Sequence, residues 1–376
     1  MEALLRRHLP VLAAALISCF VVLCFVNPGP ASAHSGAAPV STAEHAQIER
    51  ELRADLAFLA DDDLHGRGSA TRDEHIAALF AASQLQALGL EPGGDNHTFI
   101  QRSALPTPVP TRLAQQMSRF EDTPRVETWN AVAVLRGTAP EPEAILLTAH
   151  LDHLGVAKPD PDKPGSDLIY NGADDDASGT AAVLTLAHIL ATGPSPRRTV
   201  IFALFGSEEI GGFGNRAFLA HPPLPLAAIV ANLEFEMIGR PDPAVPPGTL
   251  WLTGFDRSDL GPELARHGAH LVNDPHPKGQ FFRRSDNYAL ATQGIIAHTV
   301  SSFGLHKDYH HPSDELATID FAHMTEAVFS MIKPIRWLAS TGWKPSWSPG
   351  GRPSAELPSP HTSTPSPPPA PASSPN

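Results

Sequence analysis

Five short clusters in this sequence hold residues able to do acid–base or metal chemistry. The first is His150-Leu151-Asp152, which closes the apolar run Ile145-Leu146-Leu147-Thr148-Ala149. An imidazole there offers one nitrogen to a metal, and a carboxylate two residues on accepts from the other nitrogen and fixes the ring. The second is Asn171-Gly172-Ala173-Asp174-Asp175-Asp176-Ala177-Ser178-Gly179. Three adjacent carboxylates repel one another unless a cation compensates them, and a metal supplies that charge in a glycine-flanked turn. A capped helix start competes with this reading, while the alternating carboxylates of a calcium loop are absent. The third, Gly206-Ser207-Glu208-Glu209-Ile210-Gly211-Gly212, sets two glutamates side by side, one to bind metal and one to move a proton. The fourth, Asn232-Leu233-Glu234-Phe235-Glu236-Met237-Ile238-Gly239, places two carboxylates on one face of an apolar strand, where they are costly without a partner. The fifth is Lys307-Asp308-Tyr309-His310-His311-Pro312-Ser313-Asp314-Glu315. Taken singly, most of these clusters also read as solvated loop residues.

The elements around them supply the positioning. Apolar runs predict strands over 130–135, 144–148, 199–205, 227–235, 249–253 and 295–300, and helical spacing predicts helices over 43–59, 74–88, 180–190, 214–219, 259–267 and 321–338. Continuous apolar strands alternating with helices indicate an α/β fold: one domain whose mixed, largely parallel central sheet is covered by helices on both faces. Sites in such sheets lie beyond the carboxyl ends of strands, which is where the polar clusters fall.

Composition narrows the function. With 27 Lys and Arg against 40 Asp and Glu, the net charge is -13, the wrong sign for a nucleic-acid binder or for a basic patch on anionic lipid. Only 2 cysteines occur, too few for a disulfide scaffold or a cysteine-rich zinc module. Arg6-Arg7, the apolar run 11–26 and Ala31-Ser32-Ala33 together predict a signal peptide over 1–33, and hence an exported protein, periplasmic or extracellular. Were the segment left uncleaved, it would be a membrane anchor. Cleavage would remove both cysteines, so thiol catalysis is excluded as well. From 344 to 376 the chain turns to Pro and Ser and predicts a disordered tail, leaving 43–341 as the folded domain.

In this order the five clusters resemble the zinc aminopeptidase family with co-catalytic metals, the secreted bacterial leucyl-type enzymes, whose relatives include glutamate carboxypeptidase and glutaminyl cyclase. The similarity runs from about residue 56 to 331; Asp63 to Gly68 and Leu88-Gly89-Leu90-Glu91-Pro92 resemble the family's helical lead-in. The resemblance implies a zinc exopeptidase with two zinc ions per chain, most simply an aminopeptidase acting on peptides. It implies that His150 binds one zinc with Asp152 orienting it, and that Asp174 bridges both, joined to Asp175 by a strained peptide bond. It further implies Glu208 as general base, Glu209 and His310 as ligands of the second zinc, and Tyr309 at the position of a phenol that stabilises the oxyanion in some relatives. Two positions depart from the family pattern. Glu236 stands where an Asp usually precedes Met-Ile-Gly and is taken as a ligand, with Glu234 as the alternative; Asn287 stands where His is common. A carboxypeptidase using Arg283, Arg284 or Lys307, a one-zinc glutaminyl cyclase and a silent binding domain are the competing readings.

Overall fold

The computed structural model describes residues 42–354. The predicted signal segment and the tail beyond 354 lie outside the described residues. In chain order, helix α1 (Thr42–Leu59) and helix α2 (Arg72–Ala87) come first, the latter capped by Thr71, whose hydroxyl accepts from the Asp73 and Glu74 amides. Short strands β1 (Glu91–Pro92) and β2 (Ile100–Ala104) and helix α3 (Thr111–Met117) precede the long strands β3 (Glu127–Leu135) and β4 (Ala144–His150). A small hairpin of β5 (Gly155–Val156) and β6 (Ile169–Tyr170) leads to α4 (Gly179–Ala191). Then come β7 (Thr199–Phe205), α5 (Phe213–Ala220), β8 (Ile229–Phe235), β9 (Leu250–Leu252), α6 (Leu260–Arg266), β10 (Leu271–Asn273), α7 (Asn287–Thr292), β11 (Ile296–Ser301) and α8 (Phe321–Ser340).

The central sheet runs in the order β1-β3-β7-β4-β8-β11-β9-β10, with β2 also pairing β3. Its inner four strands, β7-β4-β8-β11, are parallel, and antiparallel pairs flank them. Strand alternation sends Ile145, Leu147 and Ala149 into the core beneath α1, α2, α4 and α8, and Ala144 and Leu146 into the core beneath α5 and α7. Burial on both faces is why these strands are apolar throughout rather than alternating. The fold is the mixed, mostly parallel α/β sheet that the sequence predicts.

Differences lie at edges and ends. β4 runs two residues past the predicted limit, so His150 is its last residue. The edge strands β1, β2 and β10, the hairpin and the helices α3 and α7 were not foreseen, being short segments without a continuous apolar run or helical apolar spacing. Residues 344–354, predicted as the start of the tail, pack instead against the domain. Lys344 pairs with Glu143 at 2.9 Å, the Ser346 hydroxyl donates to Asp259 at 2.8 Å, and Trp347 Nε1 donates to the Gly294 carbonyl at 3.3 Å. The Pro/Ser composition of the whole segment masks the anchoring of Trp343 and Trp347 at its beginning.

Candidate metal centre

All four inner strands end on one rim, and each delivers part of a single cluster. At the end of β4, His150 Nδ1 lies 3.1 Å from the Asp152 carbonyl oxygen, which can only accept, so Nδ1 carries the ring proton. Nε2, the other ring nitrogen, lies 3.2 Å from Asp175 Oδ1 and becomes a ligand atom once its proton is displaced. Asp152 thus orients the ring through its backbone carbonyl. Its carboxylate, 3.8 Å from Nδ1, accepts instead from the Glu208 and Glu209 amides at 3.0 and 3.3 Å and from the Ser69 hydroxyl at 2.5 Å.

The three aspartates divide. Asp174 does not face the cluster, which corrects its expected bridging place: Oδ1 accepts from the Gly239 amide at 2.8 Å and Oδ2 lies 3.0 Å from His306 Nε2. Asp176 accepts from the amides of His150 at 3.1 Å, Gly179 at 2.9 Å and Met237 at 3.1 Å. The middle carboxylate, Asp175, faces inward, 3.2 Å from both His150 Nε2 and His310 Nε2. The turn is non-helical at Asp175 and Asp176, so the three side chains leave it in different directions. The cis peptide bond joins Asp175 to Asp176, one residue later than expected.

The remaining donors come from the other strand ends. His310 Nε2 is 3.2 Å from Glu209 Oε2, and His153 Nδ1 is 2.9 Å from Glu209 Oε1. Among the described residues, donor atoms of His150, Asp175 and Glu236 lie mutually within 4.8 Å, as do those of His153, Asp175 and Glu209. Asp175 belongs to both groups. Glu234 does not join them, because β8 ends at Phe235 and the chain leaves the pleat. Glu234 instead accepts from Ser285 Oγ at 2.9 Å, the Asn287 amide at 2.6 Å and Thr299 Oγ1 at 3.1 Å.

Two residues escaped sequence reasoning. His153 lies one position beyond the quoted His150-Leu151-Asp152, and its spacing from His150 was the available signal. Glu74, in the first turn of α2, reads from sequence as a helix-terminus charge. It is fully buried, with a pKa that burial pushes up to about 8, and it accepts from Thr128, Trp129 and both the amide and hydroxyl of Ser207, directly before Glu208.

A cation fits here on the chemistry of the donors. His150 Nε2, His153 Nδ1, Asp175 Oδ2 and Glu209 Oε1 are buried without a well-formed hydrogen bond, and they belong to residues whose donor atoms group together. Burial works against ionising Glu209, yet His310 and His153 hold its pKa at about 2. Burial likewise opposes the His310 imidazolium, yet Glu209 and Asp175 raise its pKa to about 10. Burial, with Asp286, Glu209 and Glu236 nearby, pushes Glu208 well above the usual carboxylate range. Adjacent glutamates therefore differ sharply: Glu209 is an anion, while Glu208 holds protons readily. Imidazole and carboxylate donors in a closed cluster suit zinc.

Beside Glu236 opens a pocket walled by Trp251, Phe281, Phe303 and Tyr309, with Arg284 at its edge. The Tyr309 ring stacks on His310, with centroids 3.9 Å apart.

Comparison with known proteins places this geometry. The family model for "Peptidase family M28" matches residues 130–333. A "Vacuolar membrane protease" of Clavispora lusitaniae is 25% identical over 205 residues, covering 54% of this chain and 17% of that protein. A "Probable lipoprotein aminopeptidase LpqL" of Mycobacterium tuberculosis is 32% identical over 107 residues, covering 28% of this chain and 19% of that protein. The chain thus spans less than a fifth of either curated relative. The solved structure of BSAP, a zinc aminopeptidase from Bacillus subtilis, aligns over 78% of this chain and 95% of its own with a TM-score of 0.57 at 15% identity, a likeness of fold. Vacuolar membrane proteases recur among the curated relatives, and that finding overturns the expected periplasmic or extracellular location. No helix among the described residues is long and apolar enough to cross a membrane.

Proposed function

The chain belongs to peptidase family M28 and is a zinc metallopeptidase, and from that premise we propose that it is a two-zinc exopeptidase releasing N-terminal residues from peptides. One observation carries the reading: Asp175 is shared by two donor groups, one continuing through His150 and Glu236 and the other through Glu209 with its neighbouring imidazoles. His150, Asp175 and Glu236 would hold one ion, and Asp175, Glu209 and His310 the other. His153 buttresses Glu209 from its second oxygen. Zinc bound there supplies Lewis-acid polarisation of the scissile carbonyl and acidifies the attacking water.

The protein's own groups handle the protons. Glu208, held by its amide on Asp152, takes the proton of the attacking water and returns it to the departing amine. Tyr309 hydrogen-bonds through its hydroxyl to the carbonyl oxygen as negative charge develops, keeping its proton. The resemblance to zinc aminopeptidases favours an aminopeptidase over a carboxypeptidase.

Glu208→Gln tests the assignment. It is expected to lower kcat on aminoacyl 4-nitroanilides by at least about 10²-fold, the scale of a general base, while zinc content is unchanged. A variant with full activity, or one that loses its zinc, contradicts the role.

A further inference from the structure

Arg284 stands where the aromatic pocket meets the cluster. Its guanidinium carbon lies 4.8 Å from the Phe281 ring centre and 5.9 Å from that of Tyr309, and Nη2 donates to Tyr309 Oη at 3.3 Å. Its place is fixed from below. Ser285 Oγ and the Asn287 amide, on either side of Asp286, are both held by the buried Glu234, while Phe281 and Phe282 anchor the preceding turn in the core. This gives the otherwise costly carboxylate within β8 a purpose: it pins the loop that carries Arg284.

A phenol has one proton and can accept through its oxygen. When a guanidinium donates to that oxygen, the proton has to be offered elsewhere, and the cation strengthens it as a donor. Tyr309 lies flat against His310, whose Nε2 is 3.2 Å from Asp175 and Glu209, so the hydroxyl is held beside the cluster. We propose that Arg284 is a positioning residue: by donating to Tyr309 Oη it directs the phenolic proton to the scissile carbonyl oxygen, where negative charge develops during attack. The proposal rests on the reading of this cluster as a peptide-hydrolysing centre. The competing role for an edge guanidinium is to bind a carboxylate of the substrate, either an acidic side chain or a free C-terminus.

The test combines kinetics with spectroscopy on the zinc-loaded and zinc-free protein. Arg284→Met, Arg284→Lys, Tyr309→Phe and the double variant R284M/Y309F are assayed on leucyl and glutamyl 4-nitroanilides and on a leucyl dipeptide. Arg284→Met is expected to lower kcat at least about tenfold on all three, approaching the about 10²-fold loss of a removed oxyanion donor, with KM within about twofold. Arg284→Lys restores part of the loss, and Arg284→Met costs nothing further in the Tyr309→Phe background. The chain has three tyrosines, so ¹³Cζ-tyrosine NMR gives three lines, of which Tyr309→Phe identifies one. That line is expected to move in Arg284→Met even without zinc.

Additive losses, an unmoved line, or a defect confined to KM for the glutamyl substrate or the dipeptide would overturn the proposal, the last by showing a carboxylate-binding role. If Arg284→Met fails to fold by near-ultraviolet circular dichroism, the lysine variant and its NMR line decide. Wild-type protein lacking chelator-sensitive hydrolysis overturns the reading of the site and this proposal with it; additivity in an active enzyme overturns this proposal alone.

Discussion

Asp174, Asp175 and Asp176 carry the same side chain and do three different things. Asp175 faces the donors, Asp174 ties the turn to Gly239 and His306, and Asp176 ties it to His150 and Met237. Asp174→Ala therefore leaves the donor set in place and costs stability, by about 1–3 kcal/mol for the buried amide left unpaired; a melt with zinc content measured alongside checks both. That a metal belonged to this cluster was legible from three adjacent carboxylates. Which of the three faces it was not, because the choice depends on backbone angles in an irregular turn rather than on spacing. His153 was hidden for a related reason, since only the folded loop brings it to Glu209.

The same residues set a pH dependence. In zinc-free protein, the raised His310 pKa contributes stability that is complete below about 6.5 and is lost as pH rises through about 10. The depressed Glu209 pKa contributes stability that is present above about 4.5 and is lost as pH falls through about 2. The pair therefore supports the zinc-free fold fully between about pH 4.5 and 6.5. Zinc has to displace the imidazolium protons of His150 and His310. Titration calorimetry at pH 7 in buffers of different ionisation enthalpy is expected to show between two and three protons released on filling both sites, the fraction coming from Glu236, whose pKa burial raises to about 7, and zinc is expected to raise the melting temperature more at pH 8 than at pH 5. Binding without proton release would contradict these assignments.

At the scale of elements, β4, β7, β8 and β11 were legible because both faces of each are buried and their sequences are apolar from end to end. Their common carboxyl-terminal rim follows from parallel pairing, which is why His150, Glu208, Glu209, Glu236, Tyr309 and His310 converge from five distant parts of the chain together with Asp175. β1, β2, β10, α3 and α7 were illegible, being held by neighbours rather than by a pattern of their own. The segment 344–354 shows how composition misleads when averaged: its prolines dominate the count, while Trp347 and Ser346 make the contacts. Trp347→Ala is expected to cost about 1–2 kcal/mol, less than a fully buried tryptophan because the ring is only half covered. A chain ending at residue 354 is expected to melt with the full-length protein, and one ending at 343 below it. Equal melting of all three would show that the segment contributes nothing to the fold.

For the whole molecule, the acidic balance and the scarcity of cysteine removed function classes without naming one. The ordered clusters and the fold supplied the family, and the site's geometry supplies the proposal of two ions sharing one carboxylate. The predicted leader of 1–33 lies outside the described residues, and the location inferred from it did not survive comparison with the curated relatives. Whether two ions share Asp175 is decided by the zinc content of the purified protein, measured by inductively coupled plasma mass spectrometry on wild type beside Asp175→Asn. About two zinc ions per wild-type chain and fewer than one in Asp175→Asn are expected; a wild-type protein holding a single ion, or a variant keeping both, would refute the shared site.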